Sequence, residues 1–169
     1  VISIVNQKIA QQVSLASSNY DSKEDEFKKA GFSKLKSTHI KPFLIKESPV
    51  NFECKVNSII PLGEEGGAGN LVVCEIIKIH LQEEIMDSKN KIDPVKLDLV
   101  SRLGGSWYGK TTSESLYEIT KPISNIGIGI DNLPKEILNS KILSGSDLAM
   151  LASVDSIPKS KNNKSDSLK

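Results

Sequence analysis

The sequence predicts a mostly β domain with short helices packed outside it, and two strand signals with the loop between them carry that prediction. Over residues 51–62, Phe52, Cys54, Val56, Ile60 and Leu62 alternate with Glu53, Lys55 and Asn57, the period of two expected of a half-buried strand. Residues 71–81 are richer still in β-branched side chains. Leu71, Val73, Ile77, Ile79 and Leu81 share one face, with Glu75 the exception, while Val72, Cys74, Ile76, Lys78 and His80 share the other. Apolar residues on both faces point to a central strand or the wall of a closed barrel. Between the two runs, Gly63-Glu64-Glu65-Gly66-Gly67-Ala68-Gly69 has the composition of a flexible antiparallel hairpin loop.

The other elements follow in chain order. Val1 to Val5 reads as the second half of a buried strand, so the chain is expected to be a piece of a longer protein. Asn6 stands where an N-cap would, and Ile9, Val13 and Ala16 recur at i, i+4 and i+7. That spacing predicts one apolar face of a short helix, ended by Ser17-Ser18-Asn19. Acidic then basic residues from Asp21 to Lys29 suit the dipole of a second short helix, with Phe27 and Ala30 inward and Gly31 closing it. Beyond Met86, residues 87–91 form a turn and Ile92-Asp93-Pro94 an extended link. Leu97, Leu99, Val100 and Leu103 make an apolar block leading into residues 102–109. Leu116 and Glu118 then alternate with Tyr117 and Ile119 in a short strand over 115–120, stopped by Pro122. Pro134 opens a short helix to Asn139, and Ser146-Asp147 caps another over Leu148–Ala152. From Asp155 to Lys169, Ser, Lys and Asn dominate, which predicts a disordered polar tail after a folded part spanning 1–154.

Composition narrows the function classes. The 22 basic and 21 acidic side chains leave a net charge of +1, which argues against nucleic acid or an anionic membrane as the main partner. No apolar run approaches the roughly 18 residues of a membrane span, and two cysteines cannot make a disulfide scaffold. The expected setting is the cytoplasm. Lysine supplies every basic residue except Arg102. A guanidinium offers a rigid five-donor fork that an ammonium cannot copy, so the single arginine serves either a specific job or an ordinary ion pair.

Motifs with chemistry are few. Gly104 to Thr111 matches the phosphate-loop pattern G-x-x-x-x-G-K-[ST] letter for letter, and 126–131 imitates a strand ending in a metal-holding Asp. A phosphate loop must follow a buried strand and open a helix, whereas 111–119 reads as strand and Trp107 and Tyr108 would crowd the phosphates. His39 and His80 lie far apart without Cys or acidic partners at ligand spacing, so no metal site is expected. A symmetric 63–69 loop sets Cys54 opposite a residue near Lys78, which disfavours a disulfide with Cys74. No Gly-x-Ser-x-Gly elbow supports hydrolase chemistry. The block Arg102 to Gly109 combines one fixed cation, two glycines and two adjacent aromatics. It fits either a site for a flat, electron-rich ligand such as a flavin ring or a tight turn with Trp and Tyr packing a barrel mouth.

At this block the chain resembles the flavin reductase-like, FMN-binding split-barrel family. The similarity runs through Glu47-Ser48-Pro49-Val50-Asn51-Phe52-Glu53-Cys54, Gly69-Asn70-Leu71-Val72-Val73-Cys74-Glu75-Ile76 and Ile92-Asp93-Pro94-Val95-Lys96-Leu97. It continues through Arg102-Leu103-Gly104-Gly105-Ser106-Trp107-Tyr108 and Gly127-Ile128-Gly129-Ile130-Asp131-Asn132-Leu133-Pro134. The resemblance implies the C-terminal portion of a split β-barrel, working as a homodimer with FMN near the subunit interface and passing hydride between NAD(P)H and flavin. It implies FMN contacts at Arg102, Gly104, Gly105, Trp107 and Tyr108, with Arg102 stabilising the reduced ring and Trp107 or Tyr108 bordering it. Strands upstream of Val1, which in the family supply most contacts to the FMN, are not in this chain, and the family's familiar Asn in the first segment is Ser3 here. The alternative on the same scaffold is a non-catalytic binding or interaction protein that pairs through an open sheet edge.

Overall fold

Two long antiparallel strands set the frame of the computed structural model, which describes residues 1–119 and 126–157. The chain divides into two compact units, Val1–Leu116 and Tyr117–Lys169. In the first, β1 (Ile2–Ser3) leads to α1 (Ala10–Ala16), α2 (Glu26–Ala30) and a small ribbon of β2 (Lys34–Leu35) with β3 (Leu44–Ile45). The long hairpin of β4 (Val50–Pro61) and β5 (Asn70–Leu81) follows, then a one-turn helix α3 (Pro94–Leu97) and a short hairpin of β6 (Val100–Arg102) and β7 (Tyr108–Lys110). The main sheet runs β1-β4-β5 and is antiparallel throughout.

The hairpin forms where the period-two pattern predicts it, but its register is not symmetric. Glu53 lies opposite Lys78 and Cys54 opposite Ile76, because a bulge sits between Glu53 and Cys54 and a second between Val56 and Ser58. Cys54 and Cys74 are therefore offset neighbours, and both are free thiols. The bulges also change which face is covered. The face expected to be polar holds Asn51 and Glu53, both buried, whereas Val56 and Ile60 on the expected apolar face are exposed. Along β5, Leu71, Ile76, Ile77 and Ile79 are exposed as well, and the strand pairs with β4 on one side only among the described residues.

The core of this unit lies at the other end of the hairpin, where Ile9, Ala30, Leu44, Val50 and Ile85 are buried. Asn51 ties three strands there. Its Oδ1 accepts from Ser3 Oγ at 2.6 Å and from the Ile45 N–H at 3.3 Å, and its Nδ2 donates to the Ile45 carbonyl at 3.0 Å. Ser48 Oγ reaches the Ile4 and Val50 carbonyls, each at 2.8 Å, and is buried with Asn51. These bonds fix β1, and β1 fixes the entry to α1.

Asn6 does not cap α1. The helix begins after Ile9, and Asn6 is instead buried in a bridge to Leu99, which joins the first helix to the segment before β6. α2 is shorter than the charge pattern suggests: Asp25 caps it by accepting from the Phe27 N–H, and Gly31 closes it at φ 69°, a left-handed conformation that favours glycine. Ile92-Asp93-Pro94 is not an extended link but a helix start, with Asp93 accepting from the Val95 and Lys96 N–H groups and Pro94 in the first turn. The strand expected over 115–120 is absent from its described part: a single 3-10 turn spans Ser113–Ser115, capped by Thr112, and 116–119 are irregular. Thr120 and Pro122 lie outside the described residues, as does the expected tail from Pro158 onward.

The second unit carries a 3-10 turn at Ile130–Asn132, α4 (Lys135–Leu138) and α5 (Gly145–Leu151). Leu133 and Ala152 are its buried apolar residues, and Ile128 donates to the Val154 carbonyl at 2.9 Å. The cap of α5 is Ser144 rather than Ser146. Its Oγ accepts from the Asp147 N–H while Asp147 reaches back to the Ser144 N–H, a reciprocal capping box that starts the helix three residues earlier than expected. Among the described residues no helix is long and apolar enough to cross a membrane.

Candidate functional site

The 102–109 block folds as the tip of the β6–β7 hairpin. Arg102 pairs with Tyr108 across the ribbon, and the Leu103 N–H donates to Trp107 O while the Trp107 N–H donates to Gly104 O, each at 3.0 Å. Gly104 at φ 93° and Gly105 at φ 52° make the reversal, a backbone path that side chains with a Cβ rarely take. The letters of the phosphate-loop pattern thus lie along two antiparallel strands and their turn, with no helix after Thr111 to present backbone N–H groups to a phosphate.

Arg102 is the centre of this tip. Its Nη1 donates to Tyr108 Oη at 2.6 Å and its Nη2 to the Gly105 carbonyl at 2.8 Å, and its guanidinium lies 5.0 Å from the centre of the Tyr108 ring. No carboxylate pairs with it among the described residues. The ordinary ion pair considered for the lone arginine is therefore not what holds it.

Between this hairpin and α1 opens a cleft of about 460 Å³, within the usual range of small-molecule sites. Arg102, Gly105 and Tyr108 line one side, and Gln7, Gln11 and Ser14 line the other. Three of the five predicted contact residues thus meet at one cavity. Trp107 and Gly104 do not line it: the Trp107 side chain is 77% exposed beyond the turn. The sequence reading missed the α1 wall. Gln7, Gln11 and Ser14 recur at i, i+4 and i+7, as the apolar set does, on a face without lysine or acid.

A second polar cluster was also missed. Glu53 is fully buried, and its carboxylate accepts from the N–H groups of Thr38 at 2.7 Å, His39 at 2.6 Å and Ile40 at 3.2 Å. His80 Nε2 lies 2.7 Å from Oε1. The two histidines that are remote in sequence thus converge on one carboxylate, one through its ring and the other through its backbone. Burial alone would raise the Glu53 pKa, but the Thr38 and His39 N–H groups and the His80 ring bring it down to about 2. This knot pins the 37–40 segment onto β4 and β5 and is structural. Its signal in the sequence is one acid facing Lys78 and His80 across the ribbon.

No protein-family model matches the chain. An uncharacterized protein of Aquifex aeolicus is 26% identical over 114 residues, which cover 68% of this chain and 56% of that protein. Uncharacterized protein BH2278 of Halalkalibacterium halodurans is 29% identical over 112 residues, 65% of this chain and 53% of the relative. The chain therefore spans about half the length of the curated relatives it matches. Among solved structures, nitrilotriacetate monooxygenase component B from Bacillus cereus superposes with a TM-score of 0.62 at 24% identity, over 69% of this chain and 57% of that one. The 2-nitrobenzoate 2-nitroreductase NbaA of Pseudomonas fluorescens gives a TM-score of 0.60 at 28% identity, over 76% and 61%. A Shewanella frigidimarina protein proposed to be a flavin reductase with a split barrel domain gives 0.58 at 22%, over 70% and 59%.

Proposed function

Since this chain belongs by fold to the flavin reductase-like split-barrel proteins, we propose that it is part of an FMN-binding oxidoreductase that passes hydride between a nicotinamide nucleotide and flavin. The observation that carries the reading is the cation at the hairpin tip: Arg102, unpaired by any described acid, faces a cleft large enough for a small organic ligand. The donors at hand fit a flavin, which carries carbonyl oxygens and a phosphate and gathers negative charge when reduced. When bound, the flavin would supply the two-electron acceptor for the hydride.

The residues of this chain do the holding. Arg102 keeps a fixed positive charge at the cleft, Tyr108 offers an aromatic edge beside it, and Gly105 lets the backbone stand close to the ligand. Gly104 shapes the turn, and Trp107 stands outside the cleft as a flank for whatever lies beyond the tip. A homodimer is part of this reading, because the exposed apolar residues of β4 and β5 need cover that the described residues do not provide. The cytoplasm suits a nicotinamide-dependent reaction.

The open side of β5 favours a second reading, a binding module that pairs through this edge without redox chemistry. Anaerobic mixing of the chain with FMN and NADH or NADPH separates the two. Bleaching of the flavin bands faster than in protein-free solution supports the reductase; equal rates with both nucleotides support the binding module.

A further inference from the structure

We propose that the cleft between α1 and the β6–β7 hairpin is an oxyanion site, in which Arg102, Tyr108, Gln11 and Ser14 together hold the phosphate or carboxylate end of a small organic ligand. The inference deepens the flavin reading by naming what the cleft selects, and it shares that reading's cavity. Four observations carry it.

The charge is one-sided. Arg102 is the only ionic residue that lines the cleft; the other walls contribute neutral side chains and glycine. A cation without a counter-ion beside neutral donors favours an anion over a neutral or cationic group. The donors also have capacity to spare. A guanidinium has five N–H donors, and Arg102 uses one for Tyr108 and one for Gly105. Because Tyr108 Oη accepts from Arg102, its own O–H proton remains available to donate to an acceptor in the cleft. The helix wall supplies matching groups: Gln7, Gln11 and Ser14 are exposed side chains on one face of α1 and its leading turn, and each can donate. Finally, both walls are fixed. The Asn6–Leu99 bridge and the bond from Gln7 N–H to Asp98 O at 3.0 Å tie the start of α1 to the segment that enters β6, so the two sets of donors are held facing each other.

The test is equilibrium dialysis of the 169-residue chain against four probes, inorganic phosphate, benzoate, FMN and riboflavin, repeated with Gln11→Leu/Ser14→Ala. If phosphate is the oxyanion source, FMN binds at least about tenfold more tightly than riboflavin, phosphate competes with it, and the double variant loses about tenfold toward FMN only. If carboxylate is the source, benzoate binds and is lost in the variant while neither flavin is retained. That outcome keeps the oxyanion site and removes the flavin reading. Equal binding of FMN and riboflavin, indifferent to phosphate and to the variant, keeps the flavin reading and overturns the oxyanion site. Retention of none of the four probes also overturns it. Circular dichroism of the variant, whose two changes sit on the exposed side of α1, checks that the fold is intact.

Discussion

Replacing Arg102 by Lys keeps the charge and removes the fork, which isolates what the guanidinium does for the hairpin tip. The two bonds at stake run to Tyr108 Oη at 2.6 Å and to Gly105 O at 2.8 Å. A hydrogen bond from a charged donor contributes about 1.5–3 kcal/mol where water is excluded, but this tip is exposed, so about 0.5–1 kcal/mol each is the appropriate scale. An ammonium can satisfy one of the two acceptors at a time and cannot lie parallel to the Tyr108 ring as a planar guanidinium does. The turn should therefore lose about 1–2 kcal/mol, a factor of roughly 5–30 in the ratio of closed to open tip. Amide hydrogen exchange reads that ratio at the two N–H groups that close the turn, Leu103 and Trp107. Both should exchange about 5–30 times faster in Arg102→Lys, while Phe52 and Ile79 in the main sheet keep their rates. Tyr108→Phe, which removes one of the two bonds, should fall between. Unchanged exchange at Leu103 and Trp107 would refute the claim that Arg102 holds the tip closed.

The buried Glu53 knot makes stability depend on acid. Its pKa is lowered from 4.5 unfolded to about 2 folded, so its contribution is present above about 4.5 and is lost as pH falls toward 2. The urea midpoint of the wild type should drop across that window, and Glu53→Gln should lower the midpoint at neutral pH and flatten the acid limb; parallel curves would contradict the assignment. Leu44→Ala removes a fully buried side chain and should destabilise the first unit by about 2–5 kcal/mol in urea unfolding, with a cost below about 1 kcal/mol showing that the core is centred elsewhere. Asp93→Ala removes the acceptor for two N–H groups of α3 and should cost about 1 kcal/mol, read in the same way.

Strand periodicity was the most legible feature of the sequence, and the hairpin of β4 and β5 lies within one or two residues of its expected ends. Which face it buries was not legible. Alternation assigns Phe52 and Val56 inward, but a bulge reverses the facing of every residue beyond it, and no local pattern announces one. The burial of Glu53 escapes for the same reason that it works: its partners are backbone N–H groups of a segment some 14 residues away, and backbone donors leave no mark in composition. Capping residues shifted where two candidates competed. Asn6 lost to the bridge with Leu99, and Ser146 lost to Ser144, whose spacing to Asp147 completes a capping box. At the candidate site, the hairpin was recognisable because its arginine, glycines and aromatics are consecutive. The facing helix wall was not, because Gln7, Gln11 and Ser14 come together with Arg102 only when β1 and the Asn6–Leu99 bridge have placed α1.

The central claim is that this cleft holds a flavin, and the visible absorption spectrum of the purified chain, recorded after incubation with FMN and desalting, tests it most directly. The account predicts that flavin bands remain with the protein and diminish in Arg102→Ala. A chain that keeps the β signal of its circular dichroism spectrum yet emerges colourless would contradict it.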